Sequence, residues 1–361
     1  MCSEKVTICN SEGEAVSEQW DEFVSQAPMA TISHLYGWRN VISQSYKHRT
    51  FYLTAQRHGA VVGVLPLVHI RSLLFGNTLV SMPFQDYGGI VARDEEALRA
   101  LLDHALQLKK ELGAHSLELR DRMRPAHFHP DEESVEDVYE KRDGKFFGDK
   151  VTLLLDISVG VENLWKSFSP KVRNQVRKAQ KAGLSTQIGG MELLEAFYRP
   201  FSVNMRDLGS PVHHLNFFRK VFSVFGEGVR VVLVQEREQT IGGLIAFFFK
   251  NNVVVPWASC YRQHFSKCPN NLLYWDAMQY AFDHGCHTFD FGRSSVGSGT
   301  YNFKTQWGAR PEPLHWRRFS DGNASVALES HGFPMAATLW KHIPVEIATG
   351  IGSYLRRYIA N

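Results

Sequence analysis

The chain has 361 residues, enough at roughly 150 per domain for about two domains, each with a sizeable core. Hydrophobic residues at 44% and charged residues at 21% exclude a disordered, collagenous or coiled-coil chain. Lys and Arg number 40 against 37 Asp and Glu, and a net charge of +3 is too small to make the whole surface a nucleic-acid or anionic-membrane binder. Any such role falls to a local patch, and no DNA partner is expected.

The stretch from Met1 to Trp20 carries Glu4, Glu12, Glu14 and Glu18 and no apolar run of leader length, so a cytoplasmic protein is expected. Nothing approaches the roughly 18 uninterrupted apolar residues of a membrane span. The strongest run, Ile241 to Phe249, is strand-sized and broken by Gly242-Gly243. The cysteines, Cys2, Cys9, Cys260, Cys268 and Cys286, have no framework spacing and read as reduced thiols.

From Thr50 to Ile90 the pattern is strand-like: Phe51, Leu53 and Ala55 alternate, Val61 to Val68 is apolar, and Leu79 to Met82 precedes Pro83. Asp94 reads as the N-cap of a helix in which Leu98, Leu101, Leu102, Ala105 and Leu108 recur until Gly113, and Ser116 to Arg120 resumes as a strand. Between Arg120 and Lys150 the composition turns to His127, His129 and an acidic cluster with an Asp143-Gly144 turn, which reads as a connection. A second unit starts at Val151. Its helices are expected over Val161 to Ala182 and Leu193 to Val224, its strands over Val229 to Gln235, Ile241 to Lys250 and Val253 to Cys260. A helix from Asn271 to His284 and a strand at Thr288 to Phe291 follow, so the order strand, strand, helix, strand occurs twice.

Two segments stand out chemically. Lys166 to Lys181 holds six basic residues, with no acid between Glu162 and Glu192. Ser169-Pro170 supplies a cap and a first-turn proline, after which Val172, Val176 and Ala179 share one helical face and Arg173, Arg177, Lys178 and Lys181 the other. A solvated face and a seat for phosphates are both open readings. The second segment is Asp290 to Ala309, where a strand end runs into a Gly/Ser loop and then Tyr301, Phe303, Lys304 and Trp307. Ser298 stands where a Walker loop needs lysine. Core packing of Phe303 and Trp307 is the plain alternative to a site.

No histidine or cysteine pair completes a zinc signature, so no metal is expected, and no Gly-x-Ser-x-Gly elbow marks a nucleophile. Gly242-Gly243 reads as a bulge or as a close approach of a ligand to the sheet. An acetyl-CoA enzyme would follow the Val253 to Cys260 strand with a Gly-containing loop for pyrophosphate, whereas Tyr261 to Phe265 has no glycine.

The stretches Leu164 to Gly183, Tyr198 to Phe218 with Asn204-Met-Arg206, Gly242-Gly243 through Tyr261, Asn270 to Gly285, and Gly299-Thr-Tyr-Asn-Phe-Lys304-Thr-Gln-Trp-Gly308 resemble the Fem family of aminoacyltransferases. Pro83-Phe-Gln-Asp86-Tyr-Gly-Gly89 adds a weaker match in the first half. Within the family the chain is most similar to the branch associated with PEP-CTERM and exosortase systems of exopolysaccharide-producing bacteria. The resemblance implies an α/β (α+β) fold of two tandem GNAT (acyl-CoA N-acyltransferase-like) domains. They would span 1–125 and 151–330, with a connecting segment at 126–150 and a helical tail at 331–361.

The implied activity is amide-forming acyl or aminoacyl transfer to an amine of a peptidoglycan-type, cell-envelope or exopolysaccharide precursor, nucleotide- or lipid-linked. No resident cofactor is implied. Aminoacyl-tRNA is the co-substrate, with acyl-CoA the alternative donor and a non-catalytic glycan-binding module the alternative class. By the resemblance Lys304, in a Phe-Lys motif, stabilises charge at the reacting carbonyl and Asp86 accepts the amine proton or orients the acceptor. Arg206, Tyr261, Tyr301, Phe303 and Arg293 are the substrate-binding candidates, and Lys171, Arg173, Arg177 and Lys178 the phosphate- or RNA-binding ones. Relatives that use tRNA carry a long coiled-coil pair, and no sustained heptads occur here. The segment Met335 to Tyr358, with Trp340, Ile343, Ile347, Ile351 and Leu355 and interrupted by Pro344, suits either packing on the domain or contact with the inner face of the membrane.

Overall fold

The computed structural model describes residues 5–10, 13–72, 75–122, 150–320 and 338–360, together with three short strands in the connection. They fall into two compact units, one drawn from Met1–Asp149, Leu314–His331 and Arg357–Asn361, the other from Lys150–Pro313 and Gly332–Arg356. Neither unit is continuous in sequence.

In the first unit the chain runs β1 (Thr7–Asn10), α1 (Glu14–Gln26), α2 (Gly37–Tyr46), β2 (Arg49–Arg57), β3 (Ala60–Ser72), β4 (Gly76–Val80), β5 (Val91–Ala92), α3 (Glu95–Glu111) and β6 (Ser116–Asp121). The connection adds β7 (Val135–Asp137) and the ribbon β8 (Lys141–Arg142) and β9 (Lys145–Phe146); Asp143-Gly144, His127 and His129 lie outside the described residues. The apolar residues of β2 and β3 are buried on both faces, as a sheet covered on both sides requires. Asp94 caps α3 by accepting the Ala97 N–H at 3.0 Å, and Ala97, Leu101, Ala105 and Leu108 face the sheet.

The sheet order is β1-β2-β3-β4-β6-β18-β7, in which β18 (His315–Ser320) comes from the far end of the chain and pairs antiparallel with β6. Residues 315–320 sit within the 151–330 span of the sequence reading, yet they pair in this sheet. Trp316 and Phe319 are buried three residues apart with the buried Arg317 between them, so no clean alternation marks the strand, and which sheet accepts it is a long-range matter.

The second unit runs β10 (Lys150–Asp156), α4 (Val161–Ser167), α5 (Pro170–Lys181), β11 (Leu184–Gly189), α6 (Leu194–Asp207), α7 (Leu215–Phe225), β12 (Val229–Glu236), β13 (Gln239–Phe249), β14 (Asn252–Cys260), α8 (Pro269–Asp283), β15 (Thr288–Asp290), β16 (Ser294–Ser295), α9 (Gly299–Thr305), β17 (Arg310–Pro313) and α10 (Val345–Arg356). Its sheet order is β11-β12-β13-β14-β15-β10-β16. Val172, Val176 and Ala179 of α5 join Leu272, Leu273 and Met278 of α8 in one core cluster with Leu244 and Ala246 of β13. Phe217 and Phe218 of α7 instead pack edge-on against Trp257 of β14. Pro344 stands at the break between the helical residues 338–340 and α10, as the sequence suggested.

Gly242 and Gly243 are explained by protein neighbours. A Cβ on Gly242 would meet Cys260 Sγ at 2.2 Å, one on Gly243 Val232 O at 2.8 Å, and the register of β12 against β13 shifts beside them. The bulge reading accounts for the pair without a ligand.

Candidate active site

Strands β14 and β15 are parallel, joined across α8, and pair only from Asn252↔Thr288 to Val254↔Asp290. Beyond that point β14 continues to Cys260 while the other chain turns away, so an opening forms at the carboxyl ends of two parallel strands. The turn is built by Asp290: its buried carboxylate accepts Thr152 Oγ1 at 2.6 Å and the Gly292 N–H at 2.7 Å, and Gly292 has φ +71°.

Lys304 of α9 reaches this turn. Its side chain is only 7% exposed, and Nζ donates to Gly292 O at 2.8 Å and Arg293 O at 3.1 Å. Ser298 caps α9 by accepting the Tyr301 N–H at 3.2 Å. Tyr301 and Phe303 of the same helix, with Tyr261 after β14, are half-buried against one core cluster, and Phe303 lies 5.4 Å from the Tyr274 ring. Burial raises the Tyr261 phenol, an effect opposed by nearby Arg199. The structure thus sets Lys304 on the Gly292–Arg293 turn, with Tyr301 and Phe303 on the same helix and Tyr261 against the same core cluster.

Arg206 is tied elsewhere. Its guanidinium donates to Asp207 Oδ1 at 2.7 Å and to Ile343 O at 3.0 Å, which holds the segment before α10. The sequence analysis missed Asn204, whose Nδ2 donates to the buried Ser259 Oγ at 3.0 Å and ties α6 to the free part of β14. The signal lies in the Asn204-Met-Arg206 segment, where the amide and not the guanidinium reaches β14. Cys260 is no activated thiol: burial pushes it up to about 12, against a hydrogen bond from the Gly243 N–H.

Asp86 lies in the first unit, in a buried loop where Met82 and Phe84 take positive φ of 46° and 72°. Arg120, itself buried, donates to Gln85 O at 2.6 Å, and the Trp316 Nε1–H donates to Asp86 O at 3.0 Å. The Arg120 guanidinium also lies 3.9 Å from the Trp316 ring centroid. The loop is thus held by its carbonyls, with the half-buried Asp86 side chain at its bend.

The basic helix has the expected face. Ser169 accepts the Val172 N–H at 3.4 Å, Lys171, Arg177 and Lys178 are exposed, and Arg173 is half-buried. Arg177 lies 5.5 Å from the Trp165 ring centroid. Its Nη1 also approaches Asn174 Oδ1 at 3.5 Å, the one hydrogen bond among these cations. Among the described residues none of Lys166, Lys171, Arg173, Arg177, Lys178 and Lys181 pairs with a carboxylate. A cleft of about 690 Å³ opens at the amino end of this helix, lined by Phe168, Ser169, Trp307 and Arg310, but Lys304 does not line it.

The loop after β14 differs. Here Lys267 and His264 both engage Glu236 of β12, His264 at 3.1 Å, so one carboxylate offsets the Lys267 charge while Arg262 of the same loop is exposed. Among the described residues no group of three or more His, Cys, Asp or Glu could hold a metal ion, and no helix is long and apolar enough to cross a membrane.

Residues 166–305 match the family model of the acetyltransferase (GNAT) domain, which makes the second unit an acyltransferase domain of GNAT type. Among solved structures, FemX superposes with a TM-score of 0.68 at 16% identity over 88% of this chain and 98% of its own. A tandem GNAT protein from the clavulanic acid biosynthesis pathway gives 0.54 at 13% identity over 89% and 100%. The C-terminal domain (DUF2156) of a provisionally assigned lysylphosphatidylglycerol synthetase of Agrobacterium fabrum gives 0.54 at 10% identity over 90% and 94%. These likenesses establish the fold, two GNAT-like units in tandem. No curated protein matches the chain by sequence.

Proposed function

We propose that the protein is an N-acyltransferase that takes an acyl or aminoacyl group from a polyanionic carrier, aminoacyl-tRNA, to an amine of a cell-envelope or exopolysaccharide precursor. The observation that carries the reading is the run of six cations on α4 and α5, five of them on α5, which among the described residues pair with no carboxylate and so stand available to phosphates. Two further features support it. In the β14–α8 loop, where acyl-CoA pyrophosphate would sit, Lys267 is taken up by Glu236 and the residues 261–265 have no glycine. FemX shares the fold over nearly the whole chain.

In the proposed reaction the free amine attacks the ester carbonyl carbon, the C–N bond forms, and the oxyanion collapses with loss of the ribose oxygen. Lys304 supplies a positive charge already fixed by the Gly292 and Arg293 carbonyls, so little reorganisation opposes oxyanion stabilisation. The proton lost by the amine ends on the leaving oxygen. Tyr261, Tyr301 and Phe303 shape the walls.

The test is binding of charged tRNA, uncharged tRNA and acyl-CoA to the wild type and to a Lys171/Arg173/Arg177 charge-removed variant. Preference for charged tRNA that the variant loses is the expected result. Binding of acyl-CoA that ignores the substitutions would establish a CoA-dependent enzyme instead, and binding of neither would leave a glycan-binding module.

A further inference from the structure

Helix α10 rests on the segment between α6 and α7 through its small residues. Ala348 and Gly352 are buried, and a Cβ on Gly352 would meet Val212 N at 3.2 Å and Pro211 Cα at 3.3 Å. The next residue of that segment, His213, is 1% exposed. Its ring stacks on Phe217 with centroids 4.5 Å apart, and Phe218 and Trp257 meet it edge-on. Arg356, the last residue of α10, reaches the polar edge of the ring, where its Nε donates to His213 Nε2 at 3.2 Å.

An arginine N–H can only donate, so Nε2 must offer a lone pair, and the imidazole that accepts is neutral with its proton on Nδ1. A proton on Nε2 would remove the acceptor and set a second cation against the guanidinium among aromatic rings. Around His213, α10 supplies Arg356 and α6 supplies Tyr198, whose hydroxyl donates to His213 O at 2.8 Å. The segment itself supplies the exposed His214, whose Nδ1 accepts the Asn216 N–H, while α7 and β14 supply rings. Burial pushes the Tyr198 phenol up to about 12, so it stays neutral. Burial first, and Arg356 second, hold the His213 imidazole well below its usual value.

We propose that the contact between Arg356 and His213 is a proton-sensitive latch: α10 stays docked while His213 is neutral, and acid releases the helix by protonating His213. Once α10 leaves, Nε2 meets water and the ring regains its ordinary value near 6.5. Docking is therefore at full strength above about pH 6.5 and loses about a factor of ten in its equilibrium constant per pH unit below it, until the lower docked value is reached. Release also breaks the Arg206 bond to Ile343 O on α6, the helix whose Asn204 ties it to Ser259 of β14. The latch stands on these contacts and does not depend on the acyl-transfer reading.

The test is hydrogen exchange of the full chain between pH 5 and 8, corrected for intrinsic exchange and read as the opening constant of the α10 amides, with the α8 amides reporting on opening of the whole unit. In the wild type α10 is expected to open more readily than α8 throughout, with a constant that is flat above about pH 7 and rises about tenfold per unit below 6.5. His213→Gln keeps an acceptor for Arg356 without the titration and should lose that slope. Arg356→Ala should raise the opening constant at pH 8 several-fold, which tests the latch even if His213→Gln folds poorly. A flat wild-type profile, α10 opening no more readily than α8, a slope that survives in a folded His213→Gln variant, or an Arg356→Ala variant unchanged at pH 8 overturns the proposal.

Discussion

The protein holds two sets of basic residues in opposite circumstances. In the first unit Arg120, Arg317 and Arg318 lie along β6 and β18 and are matched by Glu118 and Asp121, with Arg120 and Arg317 buried. In the second unit the cations of α4 and α5, exposed apart from the half-buried Arg173, have no carboxylate partner among the described residues. The difference separates scaffold from surface: a buried arginine must be paired to be tolerated, whereas an unpaired exposed one is spent on solvent until a polyanion arrives. The same contrast recurs within the second unit, between the cations of α5 and Lys267, which Glu236 engages.

Several substitutions break or sharpen this comparison. Arg120→Ala should act most strongly, because it leaves the buried Glu118 with Arg318 alone and releases the Met82–Gln85 loop; a loss of about 3 kcal/mol in denaturant unfolding is expected. Lys304→Ala comes next, lowering kcat by about 10² to 10³ with a smaller loss of stability from the unmade bonds to Gly292 and Arg293. Retention of full rate by that variant would remove Lys304 from the chemistry.

Charge removal at Lys171, Arg173 and Arg177 should leave thermal stability almost unchanged. It should also flatten the dependence of log affinity on log salt by up to about three, one per lost phosphate contact. An unchanged slope would mean that α5 is merely a solvated face. Glu236→Gln should have the smallest effect, a few-fold gain in pyrophosphate binding by calorimetry as Lys267 and His264 are released.

The buried pair also predicts a pH dependence. Burial acts to raise the Glu118 carboxyl, yet Arg120 and Arg318 prevail and hold it below its ordinary value. Its contribution is therefore fully present above about pH 4.3, the ordinary glutamate value, and is lost as pH falls through the lower folded value. Glu118→Gln should flatten acid denaturation in that window, although it weakens the fold at neutral pH.

Local chemistry made much of this legible. The Asp94 and Ser169 caps, the Val172, Val176 and Ala179 face, and strands β12 to β14 follow from spacing alone, because caps and periodicity are decided within a few residues. The first fifty residues carried no strong period and gave no expectation, although they hold β1, α1 and α2. Lys304 could be singled out by motif. Its partners Gly292 and Arg293 could not, since an ammonium bonded to carbonyls 12 and 11 residues away is a product of tertiary packing. Arg206 shows the converse: its residue type suited a ligand, while its neighbours Asp207 and Ile343 give it structural work.

The late return of β18 to the first sheet has a consequence for how the chain is made. Asp121 on β6 and its partner Arg317 are 196 residues apart. At about 5–20 residues per second, a ribosome delivers the second long after the first, on the order of ten to forty seconds later. During that interval β6 is an open edge beside Leu117 and Leu119, able to pair with any passing strand. Slow synthesis or truncation between the two strands should therefore favour aggregation of nascent chains, while chaperone cover over that one edge should favour the finished fold.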